Sequence, residues 1–376
     1  MRRSTMRIPL LDLQAMHAPL RAELDAAIAA VLDSGAFVLG HEVSAFEAEF
    51  AAFCGVAHGV GVANGTDALI LALEACGIGP GDEVIVPAFT FIATAGVVSR
   101  LGARLVFADV DAAHAGLTAA TVAPVLGPAT KAVIAVHLYG YPAPLLDLRR
   151  LLEPRGVVLL EDAAQAHGAR LHGTRVGGFG RAGCFSFYPT KNLGALGDGG
   201  IVVTREPEVA ERLRLLRNHG RRTQVEHLTP GVNSRLDALQ AAVLRVKLRY
   251  LTAWNEARRR LAALYDALLA PLPQVTRPGV AEGAEPVYHQ YVVQVEERER
   301  LRAFLAERGI ATAVYYPLAL HEQPAYRSPR WPRGSFPVAE GLARRVLSLP
   351  LFPELPEEAV REVCAAIAAF YAGGSG

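Results

Sequence analysis

One lysine, Lys191, stands in a stretch whose residue types suit chemistry on a carbonyl compound. Residues 185–200, FSFYPTKNLGALGDGG, place this lysine in a predicted turn between two short apolar runs, with the hydroxyl of Ser186 just upstream. The four glycines that follow let the backbone turn tightly and approach a ligand closely. An amine held there can form a Schiff base with a carbonyl cofactor. Taken alone, the stretch fits an ordinary solvated loop lysine better, so the other motifs must decide.

A candidate phosphate site comes earlier, in GVGVANGTDALILALEACG. The pattern predicts a buried strand, a turn at residues 64–66 and a helix that ends at Gly77. The first backbone N–H groups of a helix have no partner within it and its dipole favours an anion there, while Thr66 adds a hydroxyl. Asn64 and Thr66 are also good helix caps that need no ligand, and this alternative stays open.

The carboxylate of Asp162 follows the strongly apolar run VVLL, so we expect it at the end of a buried strand. A buried carboxylate needs a cation or hydrogen-bond donors beside it. The protonated ring nitrogen of pyridoxal phosphate is such a partner, although a helix cap or an ion pair would also satisfy Asp162. Phe89, in PAFTF, could stack on an aromatic ring or belong to the core. Together, a phosphate turn, a strand-end carboxylate and a turn lysine favour pyridoxal phosphate.

The elements that must position these residues alternate between strands and helices. β-Branched runs such as EVIVP, RLVFAD, KAVIAV and GVVLL are separated by helical stretches. This alternation predicts an α/β fold with a mostly parallel central sheet and flanking helices on both faces. Ligands of such sheets bind beyond the carboxyl ends of the strands. That rule selects residues 64–67, 87–90, 137–140 and 161–165 as candidate site lining, and adds Lys191 if CFSFY is a strand of the same sheet.

The character of the chain changes after Thr204. Residues 235–269 predict one or two long helices, and residues 271–286 resemble a linker rich in Pro, Gly and Ala. The segments VYHQYVVQV and ATAVYY predict strands, and RLRAFLAERGI and residues 356–371 predict helices. We therefore expect a large cofactor-binding domain, residues 1–250, and a smaller C-terminal α+β domain, residues 251–376.

Composition argues against several classes of partner. The 376 residues are 51% hydrophobic, which suits a large core, and 38 Lys and Arg against 37 Asp and Glu give a formal net charge of +1. We therefore expect neither nucleic-acid nor membrane binding, and no apolar run reaches membrane-spanning length. The four cysteines lie far apart without metal-ligand spacing, so we expect no metal site and no disulfide framework. Together with a start that lacks a signal-peptide pattern, this predicts a cytoplasmic protein.

Several motifs occur together that are typical of one enzyme family. They run nearly end to end along the chain: HEVSAFEAEF, ANGTDAL, PGDEVIVPAFTFIAT, HLYG, EDAAQAHGA, FSFYPTKNLGALGDGG, GVNSRLDALQAA and YYPLALHEQPAY. In these motifs the sequence resembles the DegT-type (DegT/DnrJ/StrS) sugar-nucleotide aminotransferases, a branch of the fold type I pyridoxal phosphate enzymes. The resemblance implies the fold type I transferase architecture and a pyridoxal 5'-phosphate cofactor, with pyridoxamine phosphate as its intermediate form.

The resemblance also implies roles for particular residues. Lys191 is the lysine that forms the Schiff base with the cofactor, and Asp162 pairs with the ring nitrogen. The other implied cofactor-binding positions are Gly65, Thr66 and Ser186 at the phosphate, Gln165 near the ring hydroxyl and Phe89 stacked on the ring. Asn233, in GVNSRLD, looks like the residue that reaches the phosphate from the neighbouring subunit. The resemblance therefore implies a homodimer with shared active sites.

Within the family, Lys191 favours transamination, because relatives that remove a sugar hydroxyl have histidine at this position. By resemblance, L-glutamate donates the amine, and Lys191 moves the proton between the cofactor and substrate carbons. The implied acceptor is a nucleotide-linked, dTDP-bound 3-keto-6-deoxyhexose, with a 4-keto-sugar nucleotide or a scyllo-inosose-type cyclitol as alternatives. A cofactor-binding regulator is a further alternative, which the lack of an appended DNA-binding helix pair or basic stripe disfavours.

The substrate side of the site departs from the family pattern at one position. The residues implied around the sugar are Tyr188, Tyr315, Tyr316 and His321. The pair Tyr315-Tyr316 stands where His-Tyr is expected. His321 matches a family histidine, either beside the substrate or in a structural role. A basic residue of the partner's loop near Gly220 completes the implied set, and this chain offers Arg221 and Arg222 there.

Overall fold

The computed structural model describes residues 7–277 and 279–373 of the chain. Within these ranges the strands are β1 (His58–Val62), β2 (Glu83–Pro87), β3 (Arg104–Ala108), β4 (Thr130–Val136), β5 (Val158–Asp162), β6 (Arg170–Leu171), β7 (Thr174–Arg175), β8 (Ala182–Ser186), β9 (Gly200–Thr204), β10 (Val275–Thr276), β11 (Ala284–Glu285), β12 (Tyr291–Val295) and β13 (Val346–Leu349). The beginning of the chain, on which the expectation of no signal peptide rests, includes residues 1–6, which lie outside the described residues.

The helices divide into α-helices and short 3₁₀ turns. The α-helices are α1 (Leu13–His17), α2 (Arg21–Ser34), α3 (Gly40–Cys54), α4 (Gly65–Ala75), α5 (Ala93–Arg100), α6 (Ala119–Val122), α7 (Leu145–Leu152), α8 (Pro207–Leu216), α9 (Ala238–Leu248), α10 (Leu251–Leu269), α11 (Arg298–Glu307), α12 (Pro337–Arg345) and α13 (Glu357–Gly373). The 3₁₀ turns are Ala18–Leu20, Ala123–Val125, Leu138–Gly140, Glu153–Arg155 and Leu320–Glu322.

Seven strands form the central sheet, in the order β1-β9-β8-β5-β4-β2-β3. β9 is antiparallel to both of its neighbours, and the other adjacent pairs are parallel. Side chains alternate between the two faces: Val84 and Val86 of β2 lie in one core cluster, whereas Ile85 lies in another. Helices cover both faces, which explains the nearly continuous apolar runs of the strands. The predicted α/β fold with a mostly parallel sheet and flanking helices is confirmed.

The carboxyl ends of the parallel strands meet at one edge of the sheet. β5 ends there at Asp162, and β8 ends at Ser186. Gly200, the first residue of the antiparallel β9, pairs with Ser186 on one side and with Val62 of β1 on the other. A side chain at Gly200 would collide with the backbone of Asn64, so glycine is needed here for the turn after β1 to approach. This packing brings the predicted phosphate turn next to Ser186.

A second sheet, in the order β10-β12-β13, lies in the C-terminal part of the chain. β12 is antiparallel to both of its neighbours. Helices α10, α11 and α13 pack around a separate core cluster that includes Tyr265, Tyr291, Leu301 and Leu349. Strands and helices thus occur together in the region where the sequence predicts a small α+β domain. The boundary between residues 250 and 251 stays a prediction.

The structure corrects the expectation for ATAVYY, which is not a strand. Ala313 makes only a single bridge to Ser348 of β13, after which the chain leaves the sheet. The apolar residues of this segment pack instead beside the main core, where Tyr315 and Tyr316 are partly buried. Strand β13 and helix α12 were not predicted from the sequence.

Two further segments become more definite in the structure. The long helical stretch at residues 235–269 consists of two helices, α9 and α10. The predicted linker at residues 271–286 contains β10 and β11, and β11 pairs with β6 in a small third sheet. The linker therefore contributes to two sheets, although its composition predicts no regular structure.

In the ranges described, no helix has both the length and the apolar character needed to cross a membrane. The same residues hold no group of three or more His, Cys, Asp or Glu side chains arranged to bind a metal ion. All four cysteines are free thiols. Burial raises the pKa of each thiol, which keeps these side chains protonated near neutral pH.

Candidate active site

Lys191 lies in a closed turn directly after β8. Its backbone N–H donates to the carbonyl oxygen of Tyr188 at 2.8 Å, and the N–H of Ala195 donates to the carbonyl oxygen of Phe187 at 2.8 Å. The turn therefore leads back to the end of the strand from which it started. CFSFY contributes to β8 of the central sheet, so the condition under which Lys191 joins the candidate site lining is met, and Lys191 lies beyond the carboxyl end of this strand.

The amine of Lys191 lies in surroundings that favour its neutral form. Burial lowers the pKa of Lys191 to about 8, and the nearby charge of Asp162 opposes this shift. His167 is fully buried near Lys191. Burial, together with the charge of Lys191, lowers the pKa of His167 to about 3. His167 is therefore neutral near pH 7. A lysine whose pKa is about 8 is partly neutral near that pH, as attack on a carbonyl carbon requires.

Asp162 is the last residue of β5, and its carboxylate is buried. Oδ2 accepts a hydrogen bond from the Thr94 hydroxyl at 2.9 Å, and Oδ1 accepts one from the backbone N–H of Ala164 at 3.2 Å. Burial raises the pKa of Asp162, while these two donors and the charge of Lys191 oppose the rise. Thr94 was not predicted from the sequence. Its position in the first turn of α5, after the strand-end motif PAFTF, is the signal that could have identified it.

The neighbouring carboxylate, Glu161, has a different environment. It accepts hydrogen bonds from the backbone N–H groups of Gly177, Phe179 and Gly180, each at 2.7 Å. His137 Nδ1 accepts from the N–H of Ala143 at 2.9 Å, so its Nε2 carries the proton that it donates to Glu161 at 3.1 Å. Glu161 and His137 were both among the candidate lining residues. Their hydrogen bonds go to other parts of the same chain, so these two side chains stabilise the fold.

The predicted phosphate residues come together at the start of α4. Asn64 caps this helix, because its side-chain oxygen accepts from the N–H of Asp67 at 2.8 Å. Gly65 packs directly against Ser186, where a β-carbon on Gly65 would lie only 2.5 Å from the Ser186 β-carbon. Thr66 is exposed beside them. The helix-cap interpretation of Asn64 is thus correct. The first-turn N–H groups of α4 lie beside Thr66 and Ser186, and the assignment of these residues to a phosphate stays a prediction.

A further residue supports this turn and was not predicted. The buried Ser234 accepts a hydrogen bond from the N–H of Ala63 at 3.1 Å and donates to the Asp67 carboxylate at 2.6 Å. Ser234 therefore holds the strand end and the first turn of α4 in one place. Its position beside Asn233 in the motif GVNSRLD is the available sequence signal.

The two aromatic residues of PAFTF, Phe89 and Phe91, differ in exposure. Phe89 is only 1% exposed and belongs to the main core, where its ring meets Tyr316 edge-on at 6.4 Å. A ring stacked on a cofactor needs a free face, so Phe89 is not suited to the stacking role. Phe91 is 51% exposed, and its ring lies 5.9 Å from Tyr316. Phe91 is therefore the aromatic side chain of this motif with an accessible face.

Gln165 links two other segments of the site. Its Oε1 accepts from the N–H of Tyr139 at 2.6 Å, and its Nε2 donates to the Tyr316 hydroxyl at 3.4 Å. Tyr139 in turn donates its hydroxyl to the carbonyl oxygen of Tyr315. The predicted tyrosine pair is thus tied to the carboxyl edge of the sheet, although the two segments lie far apart in the sequence.

The remaining predicted substrate residues differ in exposure. Tyr188 is exposed, next to the Lys191 turn. His321 is buried, its Nε2 bonds to Glu340 Oε1 at 3.1 Å, and its ring packs edge-on against Phe336. These contacts favour the structural alternative for His321.

Asn233 is exposed and follows the loop at residues 219–232. Its backbone pairs with Asn218 in an isolated bridge, which closes the base of that loop. Arg221 and Arg222 of the loop are also exposed. The structure thus leaves the three predicted partner-directed residues on the surface of the chain.

Comparisons with known proteins identify one enzyme family. The model of the DegT/DnrJ/EryC1/StrS aminotransferase family matches residues 19–368. The chain is 52% identical over 354 residues to dTDP-3-amino-3,4,6-trideoxy-alpha-D-glucose transaminase of Streptomyces venezuelae, covering 94% of this chain and 93% of that protein. It is 48% identical over 360 residues to UDP-N-acetyl-3-dehydro-alpha-D-glucosamine 3-aminotransferase of Acidithiobacillus ferrooxidans, covering 96% of this chain and 97% of that protein.

A solved structure extends the agreement to the whole fold. The crystal structure of S. venezuelae DesV in complex with a ketimine intermediate matches with a TM-score of 0.95 at 51% identity, over 97% of this chain and 99% of that one. The match includes the central sheet and the C-terminal sheet, since almost the full length is covered. The chain belongs to the DegT/DnrJ/EryC1/StrS aminotransferase family, and the protein is an aminotransferase.

Proposed function

We propose that this aminotransferase binds pyridoxal 5'-phosphate at the carboxyl edge of its central sheet and transfers an amine from L-glutamate to a nucleotide-linked keto sugar. Aminotransferases of this family depend on pyridoxal phosphate. The observation that carries the proposal is that Lys191, Asp162 and the Gly65–Ser186 contact surround one edge of the sheet. When bound, the cofactor supplies an aldehyde that accepts amines and a protonated ring that withdraws electrons from the reacting carbon.

The cofactor's phosphate fits the start of α4. Gly65, Thr66 and Ser186 would hold it through the first-turn N–H groups of the helix and two hydroxyls. Gly65 supports this assignment, because a β-carbon there would fill the gap toward Ser186. The 11-residue length of α4 gives its N-terminus a substantial dipole, which favours an anion.

The cofactor's ring fits between Asp162 and the aromatic side chains. Asp162 would pair with the ring nitrogen, and a cation there would supply the positive charge that this buried carboxylate lacks. We assign the stacking role to Phe91 in place of Phe89, because only Phe91 has an exposed ring. Gln165 would lie near the ring hydroxyl, where its Nε2, at 3.4 Å from Tyr316, can still donate a hydrogen bond.

Lys191 would act first as a nucleophile and then as an acid and base. Its neutral amine would hold the cofactor through the aldehyde, and the free amine would then accept and return the proton that moves between the cofactor and substrate carbons. A pKa of about 8 suits both tasks, because the amine must gain and lose a proton near neutral pH. Burial is the cause of this lowered pKa, and the charge of Asp162 opposes it.

The acceptor that we propose is a dTDP-linked 3-keto-6-deoxyhexose. The names of both relatives specify an amine at the 3-position of a sugar, and the relative with the higher identity is the dTDP-sugar enzyme. This supports the 3-keto acceptor over the 4-keto sugar and over the cyclitol. Tyr188, Tyr315 and Tyr316 would line the sugar site, and His321 would support it from the core.

We also propose that two chains form a homodimer with shared active sites. Several exposed apolar side chains support an interface: Phe37, Val38, Leu196, Val225, Leu228 and Val232. The backbone N–H of Ala238 donates to the carbonyl oxygen of Phe37 at 3.0 Å, which places Phe37 beside the start of α9. Water-exposed side chains of this kind are typical of surfaces that a partner covers. A second copy would bring its Asn233 to the phosphate of this site, and its Arg221 or Arg222 to the sugar.

The domain boundary and the location belong to the same proposal. Helix α10 begins at Leu251, and several of its buried residues join the C-terminal core, which supports a division into residues 1–250 and 251–376. Four free thiols suit a reducing compartment, which supports a cytoplasmic location.

Borohydride labelling tests the cofactor assignment. The chain has only three lysines, Lys131, Lys191 and Lys247, so peptide mapping can assign a reduced cofactor adduct without ambiguity. We expect the label on Lys191. A protein that binds the aldehyde but carries no label at Lys191 would overturn the assignment.

A substrate panel tests the reaction. The enzyme is incubated with L-glutamate and, in turn, a dTDP-3-keto-6-deoxyhexose, the dTDP-4-keto sugar, a UDP-linked 3-keto sugar and scyllo-inosose. Mass spectrometry then detects the amino product, and we expect the highest kcat/KM with the first acceptor. Labelling at Lys191 without an amino product from any nucleotide sugar would overturn the sugar assignment alone.

Mixed dimers test the shared site. Lys191→Ala and Asn233→Ala chains, each with low activity alone, are mixed, dissociated and re-associated. If Asn233 acts across the subunit boundary, the mixed dimer contains one intact site and regains part of the activity. Mixed dimers that stay as inactive as their parents would show that each site is built from one chain.

A further inference from the structure

A second lysine lies beneath the turn that carries Lys191. Lys247 of α9 is 0% exposed, and its Nζ donates to the carbonyl oxygen of Gly194 and lies 3.1 Å from Nε2 of His17. In the part of the chain that the structure describes, no carboxylate lies within ion-pair distance of this amine. Burial lowers the pKa of Lys247 to about 8. A buried cation without a counter-charge destabilises a fold, so its contacts need an explanation.

The composition of the chain makes a buried lysine at position 247 unusual. Lysine is rare in the chain, which has only three lysines among its 38 Lys and Arg residues. Lys131 is exposed, Lys191 is the proposed nucleophile, and Lys247 is buried. Arginine supplies almost every other positive charge. A compact ammonium can direct its three N–H groups at neighbouring acceptors within a small space, which the larger planar guanidinium of arginine cannot do.

The contact with Gly194 acts on the geometry of the turn. Gly194 closes that turn, because a side chain at this position would collide with the backbone of Pro189 on the other side of it. The next N–H, that of Ala195, donates to Phe187 at the end of β8. Holding the carbonyl oxygen of Gly194 therefore fixes the downstream end of the turn relative to the sheet.

The middle of the turn has its own anchor. The buried side chain of Asn192 donates to Asn255 Oδ1 of α10 and to the carbonyl oxygen of Val287, each at 2.9 Å. Lys191 thus lies directly before one anchored residue, Asn192, and three positions before a second, Gly194. Two points of attachment limit both the translation and the rotation of a short turn.

We propose that Lys247 is a positioning residue for Lys191: with His17 it holds the carbonyl oxygen of Gly194, and so keeps the Lys191 amine aligned toward Asp162. His17 can play this part because its neutral ring accepts from Nζ, and burial together with the charge of Lys247 lowers the pKa of His17. This inference rests on the proposed role of Lys191 as the nucleophile. It assigns no direct contact between Lys247 and the cofactor.

The test uses the rate at which pyridoxal phosphate labels Lys191 in apo-protein, trapped with borohydride and quantified on the Lys191 peptide. Lys247→Met keeps a long unbranched side chain and removes the donor. We expect this variant to label about 10- to 100-fold more slowly, because a small displacement of a reacting group has effects of this size. We expect kcat to fall in parallel with little change in KM for the nucleotide sugar, whereas a general loss of structure would change both.

Controls make the result decisive. Lys131→Met, at the exposed lysine, should label Lys191 at the wild-type rate, and Lys247→Arg, which keeps the charge but not the compact ammonium, should label Lys191 as slowly as Lys247→Met. If Lys247→Met does not fold, His17→Gln leaves Lys247 in place and removes the ring beside it. We then expect a smaller decrease, about threefold.

The outcomes separate the two proposals. A folded Lys247→Met that labels Lys191 as fast as wild type overturns the positioning role. If Lys247→Met does not fold, an unchanged rate in His17→Gln overturns it instead. Wild-type protein without any label on Lys191 would instead overturn the proposed function. Label that appears on Lys247 itself would also overturn the positioning role, since Lys247 would then be reacting directly.

Discussion

The contact between Gly65 and Ser186 offers the sharpest test of the phosphate site. Gly65→Ala places a methyl group where the structure has the tightest approach of the two segments. Its β-carbon would lie 2.5 Å from the Ser186 β-carbon and 3.1 Å from both the Ser186 Oγ and Cα atoms. Both segments are held from behind, because Ser186 pairs with Gly200 of β9 and Asn64 caps α4. The added methyl group must therefore open the site itself.

The size of the effect follows from these distances. The new carbon contact is about 0.9 Å shorter than the 3.4 Å at which ordinary van der Waals contact begins, so Gly65 and Ser186 must separate by about that much. A phosphate hydrogen bond of about 2.9 Å would then lengthen to about 3.8 Å, which is too long for a hydrogen bond. Losing one such bond to a charged group removes about 1.5–3 kcal/mol. The Kd of pyridoxal phosphate should therefore rise about 10- to 100-fold.

The assay is equilibrium titration of apo-protein with pyridoxal phosphate, beside thermal unfolding without the cofactor. The same separation strains the folded apo-protein by about 1–3 kcal/mol, so we expect its Tm to fall, and the Kd is measured well below the unfolding transition. Gly79→Ala is the matched control, because no atom lies within 4 Å of a β-carbon at Gly79. A Gly65→Ala protein with the wild-type Kd would refute the assignment of this turn to the phosphate.

Two further predictions concern charge. Arg217 and Glu47 form a buried ion pair, so Arg217→Met leaves the Glu47 carboxylate buried without its partner. We expect this variant to lower the free energy of unfolding by about 3–5 kcal/mol in a denaturant titration. The control is Asp25→Asn, which removes the exposed pair with Arg21 and should change the free energy of unfolding far less. If both substitutions have equal effects, burial does not decide the strength of these pairs. The labelling rate of Lys191 should rise with pH and level off above about 8, because burial lowers the pKa of this amine and only its neutral form attacks. A rate that keeps rising to about pH 10.4, the pKa of an ordinary lysine, would contradict the environment described for Lys191.

The sequence contained enough information to predict a mostly parallel sheet and to select the turns at its carboxyl edge as candidate site lining. Runs such as VVLL, followed by Asp162, identify a buried strand with a polar end, and the parallel arrangement then brings such ends to one edge. Lys191 and the turn at residues 64–66 were found by the same reasoning. Asp162, Lys191 and the turn at residues 64–66 all follow strands of the sheet. The rule that ligands bind beyond the carboxyl ends of the strands therefore applies to all three.

Other parts of the site depend on contacts that periodicity does not encode. Phe89 and Phe91 have the same residue type two positions apart, and only packing against Tyr316 and the core decides which ring stays exposed. Thr94 and Ser234 are small polar residues in helical or loop patterns, which predict exposure. They are buried because Thr94 contacts Asp162 and Ser234 contacts Asp67. The partners in each contact lie far apart in the sequence, so local patterns do not predict these contacts.

The prediction of a strand at ATAVYY was wrong for a related reason. Its β-branched and aromatic residues are typical of a strand, but the structure uses only one bridge there, at Ala313. The chain then departs from the sheet, and the Tyr139 hydroxyl bonds the carbonyl oxygen of Tyr315. Aromatic side chains that line a site and those that cover a sheet have the same composition, so composition alone cannot separate the two.

The adjacent carboxylates of Glu161 and Asp162 differ in the number of hydrogen-bond donors around them. Glu161 meets three backbone N–H groups and the imidazole of His137, so its charge is compensated within the chain. Among the described residues, Asp162 accepts hydrogen bonds only from the Thr94 hydroxyl and the N–H of Ala164, and burial raises its pKa. A cation that enters the site would therefore gain more from Asp162 than from Glu161. An acidic pair in a sequence indicates two carboxylates at a strand end, but the number of donors around each decides which one is left to bind the ring of a cofactor.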